Sequence, residues 1–123
     1  MAPMKSQLTN IISACFRIAD ITCIQYDLER GADADRDSYT SAQYVAVSST
    51  ILEYEQEIAD IEAHTVSGLN NELEHVFDVT NTLFRRLTVR GCFLKDEDLI
   101  GEASAEIPDH IRDEWTARVT SLF

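Results

Sequence analysis

Two short motifs place carboxylates at spacings that metal sites use. Asp33, Asp35 and Asp37 alternate like the first ligands of an EF-hand calcium loop, which also needs glycine at its sixth position and a carboxylate at its twelfth. Here those two positions hold Ser38 and Tyr44. We therefore expect a solvated loop that leads into a helix rather than a calcium site.

Glu72 and His75 have the Glu-x-x-His spacing of di-iron helical bundles. Such a site needs a second pair of the same kind and two further glutamates that point inward. The sequence holds no second pair, and none of its three histidines has a cysteine–histidine spacing typical of zinc. We expect this pair to lie on the surface, and we predict no metal and no other cofactor.

Cys92 is a potential nucleophile, since it lies near a basic cluster of Arg85, Arg86 and Arg90 that could favour its thiolate. A nucleophile also needs a positioned base, and the sequence reveals none. It contains neither a glycine-rich phosphate loop nor a Gly-x-Ser-x-Gly elbow. We therefore predict a protein that is not an enzyme, whose arginine cluster complements a helix dipole.

Cys15 and Cys23 are predicted to share one helix, about 12 Å apart along its axis at 1.5 Å per residue. That separation is too long for a disulfide, and an odd total of 3 cysteines argues against a closed disulfide framework. No apolar stretch is long enough to cross a membrane. These features predict reduced thiols and a cytoplasmic protein.

The distribution of charge is the strongest signal in the sequence. The 123 residues carry 10 basic and 22 acidic side chains, for a net charge of −12. No lysine or arginine lies between Arg36 and Arg85, whereas nine carboxylates do. Glu53, Glu57 and Asp60 share one flank of a predicted helix, where like charges cost about 0.2–0.5 kcal/mol per pair. No cation on the same helix offsets that cost.

Two neighbouring helices could gather these carboxylates on one negative face. Carboxylates four residues apart recur about every 6 Å along a helix, and duplex DNA carries a charge every ~3.4 Å of each strand. Such a face could occupy a groove of lysines and arginines built for nucleic acid. We predict a nucleic-acid mimic that docks on and inhibits a basic nucleic-acid-handling protein or complex, and that binds neither nucleic acid nor membranes itself. The predicted contact residues are Glu53, Glu55, Glu57, Asp60, Glu62, Glu72, Glu74 and Asp78.

Three alternatives remain open at this point. Acidity aids solubility and also suits a high-salt host, so the face could simply be solvated. The chain could instead be a helical assembly module, either a homodimer or an adaptor. An enzyme would require a polar pocket with perturbed carboxylates. The leading hypothesis is close in type to small phage-encoded inhibitors of host defence complexes, which is an analogy of size and charge alone.

The elements that must position these residues are helices. The first is predicted over residues 6–30, with Ser6 as its N-cap and Gly31 just past its end. Apolar residues on two faces predict burial by more than one neighbour. One face contains Leu8, Ile11, Ile12, Cys15, Ile18, Ala19 and Tyr26, and the other adds Phe16, Ile24 and Leu28.

The second helix is predicted to be capped by Asp37 or Ser38 and to end near Ala63. Its apolar residues alternate at spacings of three and four, a heptad pattern typical of one seam of a bundle. This heptad consists of Tyr44, Val47, Ile51, Tyr54, Ile58 and Ile61.

A connection at residues 65–68 precedes a third helix, predicted over residues 69–90 with a one-sided apolar stripe. The stripe consists of Leu69, Leu73, Val76, Phe77, Thr80, Leu83, Phe84 and Leu87. Beyond Gly91, residues 92–94 could be extended and residues 96–103 a short helix. Pro108 fits the first position of a final helix. Its apolar face is predicted to contain Ile111, Trp115, Val119 and Leu122.

Few breakers and short connections predict long helices that run antiparallel to their neighbours. The predicted fold is all-α, a single helical domain over residues 1–123. It is an antiparallel bundle of three long helices with one or two short C-terminal helices.

Overall fold

The structure, a computed structural model, describes the backbone of residues 5–34, 37–89 and 107–123. Four helices occupy nearly all of these ranges, and no strand occurs within them. The helices are α1 (Lys5–Ala34), α2 (Ser41–Ser67), α3 (Asn71–Val89) and α4 (Asp109–Leu122). The predicted fold is confirmed: three long helices pack together, and a short C-terminal helix joins them.

Helix α1 lies at the centre of the bundle. It packs extensively against both α2 and α3, whereas α2 and α3 approach each other much less closely. This arrangement explains why α1 has two apolar faces, as the sequence predicted. The buried residues of α1 include Ile11, Ile12, Cys15, Phe16, Ile18, Ala19, Ile21 and Cys23.

The ends of α1 differ from the prediction. The helix begins at Lys5, so Ser6 is not its N-cap, and it continues through Gly31 to Ala34. A glycine costs about 1 kcal/mol relative to alanine inside a helix, and a long helix with good helix formers such as Ala32 nearby can absorb that cost.

Helix α2 begins two to three residues later than predicted, because Thr40 is its N-cap rather than Asp37 or Ser38. The Thr40 hydroxyl accepts from the backbone N–H of Gln43 (3.2 Å), and the Gln43 side chain accepts from the N–H of Thr40 (2.7 Å). This reciprocal pair is a capping box. The rings of Tyr39 and Tyr44 pack 5.3 Å apart on either side of it, in the positions of a hydrophobic staple.

The connection predicted at residues 65–68 is shorter in the structure. Helix α2 continues past Ala63 to Ser67, and the N–H of Gly68 donates back to the carbonyl of Thr65. Helix α3 begins at Asn71 rather than at Leu69, since the Asn70 side chain accepts from the N–H of Leu73 (2.9 Å). Short side chains such as Asn70 satisfy the free N–H groups of a first helical turn.

The predicted apolar stripe of α3 faces the core. Leu69 and Leu83 are partly buried, and the other stripe residues are buried. Phe84 packs against Phe16 of α1 and Trp115 of α4, with ring centroids 4.6 and 5.2 Å away. This aromatic cluster holds the short C-terminal helix against α1 and α3.

A polar clamp fixes the start of α4 to α1. Asp20 accepts from the backbone N–H of Ile107 (3.1 Å) and from Nη2 of Arg112 (2.7 Å). The Arg112 guanidinium also lies 4.9 Å from the centre of the Phe16 ring. Charge-assisted hydrogen bonds of this kind are stronger than neutral ones. The clamp therefore orients α4 on α1, in addition to the aromatic packing.

Two details of α4 correct the prediction. Pro108 occupies the N-cap position, and the first helical residue is Asp109. Trp115 and Val119 are buried and Ile111 partly so, but Leu122 is 58% exposed because it lies in the last turn, past the core. Residues 92–94 and 96–103, predicted as extended and helical, lie outside the described residues together with Arg90 and Cys92.

Candidate binding surface

The acidic residues of α2 form two rows on opposite flanks of the helix. Glu53, Glu57 and Asp60 follow one flank, and all three are exposed. Glu55 and Glu62 follow the other, because two residues along a helix correspond to a rotation of about 200°. We call the first set the outer acidic row and the second the inner acidic row.

The inner acidic row has partners on α1 and α3. Oε1 of Glu55 accepts from Nε2 of Gln25 (2.9 Å), an amide that also lies 3.2 Å from the carbonyl of Ile51. Oε1 of Glu62 lies 3.8 Å from Nη2 of Arg85. This ion pair is about two-fifths exposed, so its contribution to stability is small, about 0–1 kcal/mol. The charge of the inner row is thus partly compensated.

The outer acidic row has no cationic partner among the residues that the structure describes. Within the described part of the chain it has one side-chain hydrogen bond, internal to α2, in which Nε2 of Gln56 donates to Oδ1 of Asp60 (2.9 Å). Glu53 and Glu57 carry like charges four residues apart and face solvent.

Helix α3 also divides its acidic residues between two flanks. Glu74 and Asp78 share a flank with Arg85, at helical spacings of four and seven. Arg85 reaches Glu62 of α2, whereas Asp78 lines a cavity beside Leu122 of α4. Glu72 is two residues from Glu74 and therefore lies on the far flank.

The predicted negative face is therefore split. The structure brings Glu55 and Glu62 of α2 to the groove between α2 and α3, where Glu62 pairs with Arg85, whereas Asp78 of α3 lines the cavity beside Leu122 of α4. It places Glu72 and the outer acidic row outside that groove. The rows were predictable from spacing, whereas the direction in which each one points depends on where α1 and α3 pack.

A polar cavity of about 220 Å³ opens in this groove, with α1 as its floor. Nε of Arg85 is buried there without an acceptor among the described residues, while Nη2 of the same group reaches Glu62. The other polar groups of this cavity are hydroxyls, an amide and carboxylates. The lining residues are Thr22, Gln25, Tyr26, Glu29, Glu55 and Arg85.

The two described cysteines lie in the core and not in this cavity. Burial raises the pKa of Cys15 to about 12, and the negative charge of Glu62 adds to the effect. Burial, with Asp20 nearby, likewise raises the pKa of Cys23 to about 12. Both thiols are therefore protonated at neutral pH, a state in which cysteine is a poor nucleophile.

Residues of the remaining sequence motifs lie on the surface. Glu72 and His75 are both exposed on α3, and His75 lines an open, largely apolar cavity of about 360 Å³ beside the end of α4. Arg86 of the predicted basic cluster lines the same cavity. Within the described ranges no three histidine, cysteine, aspartate or glutamate side chains come together in a way that could hold a metal ion.

Sequence reasoning missed two exposed apolar residues on α2. Val45 is 65% exposed and Leu52 is 68% exposed, and both lie seven residues apart on the side of α2 that faces solvent. The signal was present in the sequence as a second set of three- and four-residue spacings. It was overlooked because the apolar heptad of Tyr44 to Ile61 is so much stronger.

The chain matches no model of a known protein family, no characterised protein and no solved structure. None of the described helices is both long enough and apolar enough to span a membrane. The function must therefore be argued from the surface itself.

Proposed function

We propose that this protein is a non-enzymatic binding protein whose acidic surface docks on a basic, nucleic-acid-handling protein or complex and blocks it. The observation that carries the proposal is the outer acidic row, which is exposed and lacks a cation among the described residues. Folding alone gives no reason to keep such a row, since like charges at this spacing weaken a helix.

The arrangement of the acidic groups supports a rigid negative ridge. The outer row runs along a helix that is capped at its N-terminus and packed against α1, so its charges are held at fixed intervals. Glu74 and Asp78 add further negative charge on α3. A fixed array of negative charges attracts a basic groove over long range and speeds association at low salt.

Capture of a partner tests this proposal. Tagged protein is incubated with a lysate of the cells in which it acts, and bound proteins are eluted first with salt and then, in a parallel experiment, with duplex DNA. We expect a basic protein to elute in both cases, because salt screens the contact and DNA competes for the same groove. Elution by neither would contradict the proposal.

Charge reversal identifies the surface that is used. The variant Glu53→Lys/Glu57→Lys/Asp60→Lys should lose capture of this basic protein. The matched control, Asp37→Lys/Asp113→Lys/Glu114→Lys, changes the net charge by the same amount at exposed positions elsewhere and should retain it. Equal loss in both variants would mean that net charge, and not this surface, attracts the partner.

Assembly into a homodimer is the second candidate, and the N-terminal half of α2 favours it. Tyr44, Val47, Ile51 and Tyr54 of its heptad are only partly buried in the monomer. Light scattering on a size-exclusion column separates the two candidates, because a dimer that persists at low protein concentration supports assembly, and a monomer supports the acidic binding protein.

A further inference from the structure

The side of α2 that faces solvent carries a second heptad. Its residues are uncharged and exposed along about 27 Å of helix, at 1.5 Å per residue. Their spacings alternate strictly between four and three, as in the seam of a coiled coil. We call them the outer seam: Val45, Ser49, Leu52, Gln56, Ala59 and Ala63.

The outer seam has the composition of a helix contact. Val45 and Leu52 project as two large apolar side chains, with about two thirds of each exposed. Ala59 and Ala63 are small enough for another helix to approach closely. Two exposed apolar side chains one heptad apart can contact a single partner helix at consecutive turns of the repeat.

Acidic residues border this seam on both sides. In heptad terms, Glu53 and Asp60 occupy the e positions, and Glu55 and Glu62 occupy the g positions. Charged residues at e and g decide which partner a coiled-coil helix accepts. Both flanks of the outer seam are negative from Glu53 to Glu62, so its partner must carry positive charges on both flanks of that stretch.

A second copy of this chain does not satisfy that requirement. In a parallel pair the g residues of one helix face the e residues of the other, and in an antiparallel pair e faces e and g faces g. In a parallel pair Glu55 would face Asp60, and no e or g position of α2 holds a lysine or arginine that could offset the acidic residues. Like charges across a helix interface are unfavourable and select against self-association.

We propose that the outer seam of α2 binds one amphipathic helix of a partner protein, whose apolar seam covers Val45 and Leu52 and whose flanking lysines or arginines pair with the acidic rows. This inference rests on the proposed function and names the part of the basic partner that is recognised. The apolar seam determines the register in which the partner helix binds, and the acidic rows determine which helices can bind.

A synthetic peptide of three heptads provides the test, with leucine at a and d and lysine at e and g. One control peptide has glutamate in place of lysine, and a second has the composition of the lysine peptide with its heptad order scrambled. Fluorescence anisotropy with the full-length protein gives the affinity, and circular dichroism gives the helicity. We expect only the ordered lysine peptide to bind tightly and to gain helicity on binding.

Variants of the seam separate apolar contact from charge. Leu52→Ser should weaken binding of the lysine peptide about tenfold, since it removes one of the two large apolar side chains of the seam. Leu122→Ser is the matched control, because Leu122 is similarly exposed but lies on α4. It should leave the affinity unchanged.

A second pair of variants tests the flanks. Glu53→Lys/Asp60→Lys reverses one flank only, so a peptide with glutamate on the facing flank and lysine on the other should replace the lysine peptide as the tighter binder. Asp37→Lys/Glu114→Lys, with the same net charge, should preserve the original preference. A switch of peptide preference cannot arise from misfolding, so this result would be decisive even if one variant were less stable.

Three outcomes would overturn the inference. Equal binding of ordered and scrambled lysine peptides, unaffected by Leu52→Ser, would show that charge acts without the seam, and the proposed function would stand in its general form. A dimer of the protein that Leu52→Ser dissociates would show that a second copy covers the seam. Absence of any peptide binding, together with capture of a basic protein through the outer acidic row, would show that the partner does not present a helix.

Discussion

The two halves of α2 follow one heptad pattern but are held very differently. In the C-terminal half, Ile58 and Ile61 are 2% and 8% exposed and belong to the core. In the N-terminal half no side chain is buried, and Val45 and Leu52 project into solvent. The pattern specifies which face turns inward, whereas the depth of burial depends on how far the neighbouring helices extend. The less buried half is also the half that carries the two large exposed apolar side chains.

The sharpest test of this contrast compares two isoleucines one heptad apart. Ile58→Ala should lower the free energy of unfolding by about 2–5 kcal/mol, because it leaves a cavity in a closed core. Ile51→Ala should cost clearly less, about 1 kcal/mol, since Ile51 is already partly hydrated. Urea denaturation of both variants measures the difference, and equal losses would refute the contrast.

Alkaline pH should lower the stability of the core, to which the two buried cysteines of α1 belong. The pKa of Cys15 and of Cys23 is about 12 in the folded protein and 9.0 as the ordinary value. Above pH 9 the unfolded chain releases these protons and the folded protein keeps them, so stability that is complete below pH 9 falls as pH rises toward 12. The expected slope is about 1.4 kcal/mol per pH unit for each thiol.

Denaturation at a series of pH values checks the alkaline slope. The variant Cys15→Ala/Cys23→Ala should be less sensitive to pH in this range, whatever its stability at neutral pH, because it lacks both groups. The same slope in the variant would assign the alkaline loss to other residues.

The clamp between α1 and α4 should matter less than the core but more than any surface contact. Asp20→Ala leaves the N–H of Ile107 and the guanidinium of Arg112 without their acceptor, for an expected loss of about 1–3 kcal/mol. Hydrogen exchange should show faster opening of α4 than of α2. Glu62→Ala, which removes the exposed pair with Arg85, serves as the control and should cost at most about 1 kcal/mol.

A smaller loss of stability is expected at the N-terminus of α2, in its less buried half. Thr40→Ala removes the hydroxyl that accepts from Gln43 and should cost about 1 kcal/mol. The first turns of α2 should fray, which amide exchange near Tyr44 would report. Ser38→Ala is the control, since Ser38 was the cap expected from sequence and is outside the capping box. An equal effect of Ser38→Ala would contradict the assignment of Thr40.

The smallest effects belong to the outer seam. Val45→Ser and Leu52→Ser should each change the free energy of unfolding by less than about 0.5 kcal/mol, because both side chains are already mostly hydrated. A larger loss, measured in urea, would mean that these residues stabilise the monomer and are not reserved for a partner.

Helix type and inward face were predictable from the sequence, but helix ends were less so. Asp37, Ser38 and Thr40 are all good N-cap residues, and only the position of Gln43, three residues after Thr40, distinguishes the true cap. Gly31 resembles a helix end, yet one glycine costs too little to stop a long helix.

The candidate surface was predictable in its rows but not in its partners. Spacing alone places Glu53, Glu57 and Asp60 on one flank of α2. It cannot show that Glu62 reaches Arg85, because that contact depends on the crossing of two helices and on the reach of a long side chain. Nor can it show that α2 and α3 stay apart while α1 forms the floor between them.

The clamp at Asp20 has a consequence for folding during synthesis. It joins α1 to residues 87 and 92 positions later in the chain, so it can close only after Arg112 has left the ribosome. Until Trp115 arrives, the rings of Phe16 and Phe84 lack the indole that covers them in the finished fold. The nascent chain therefore exposes this pair of rings from the emergence of Phe84 until the emergence of Trp115.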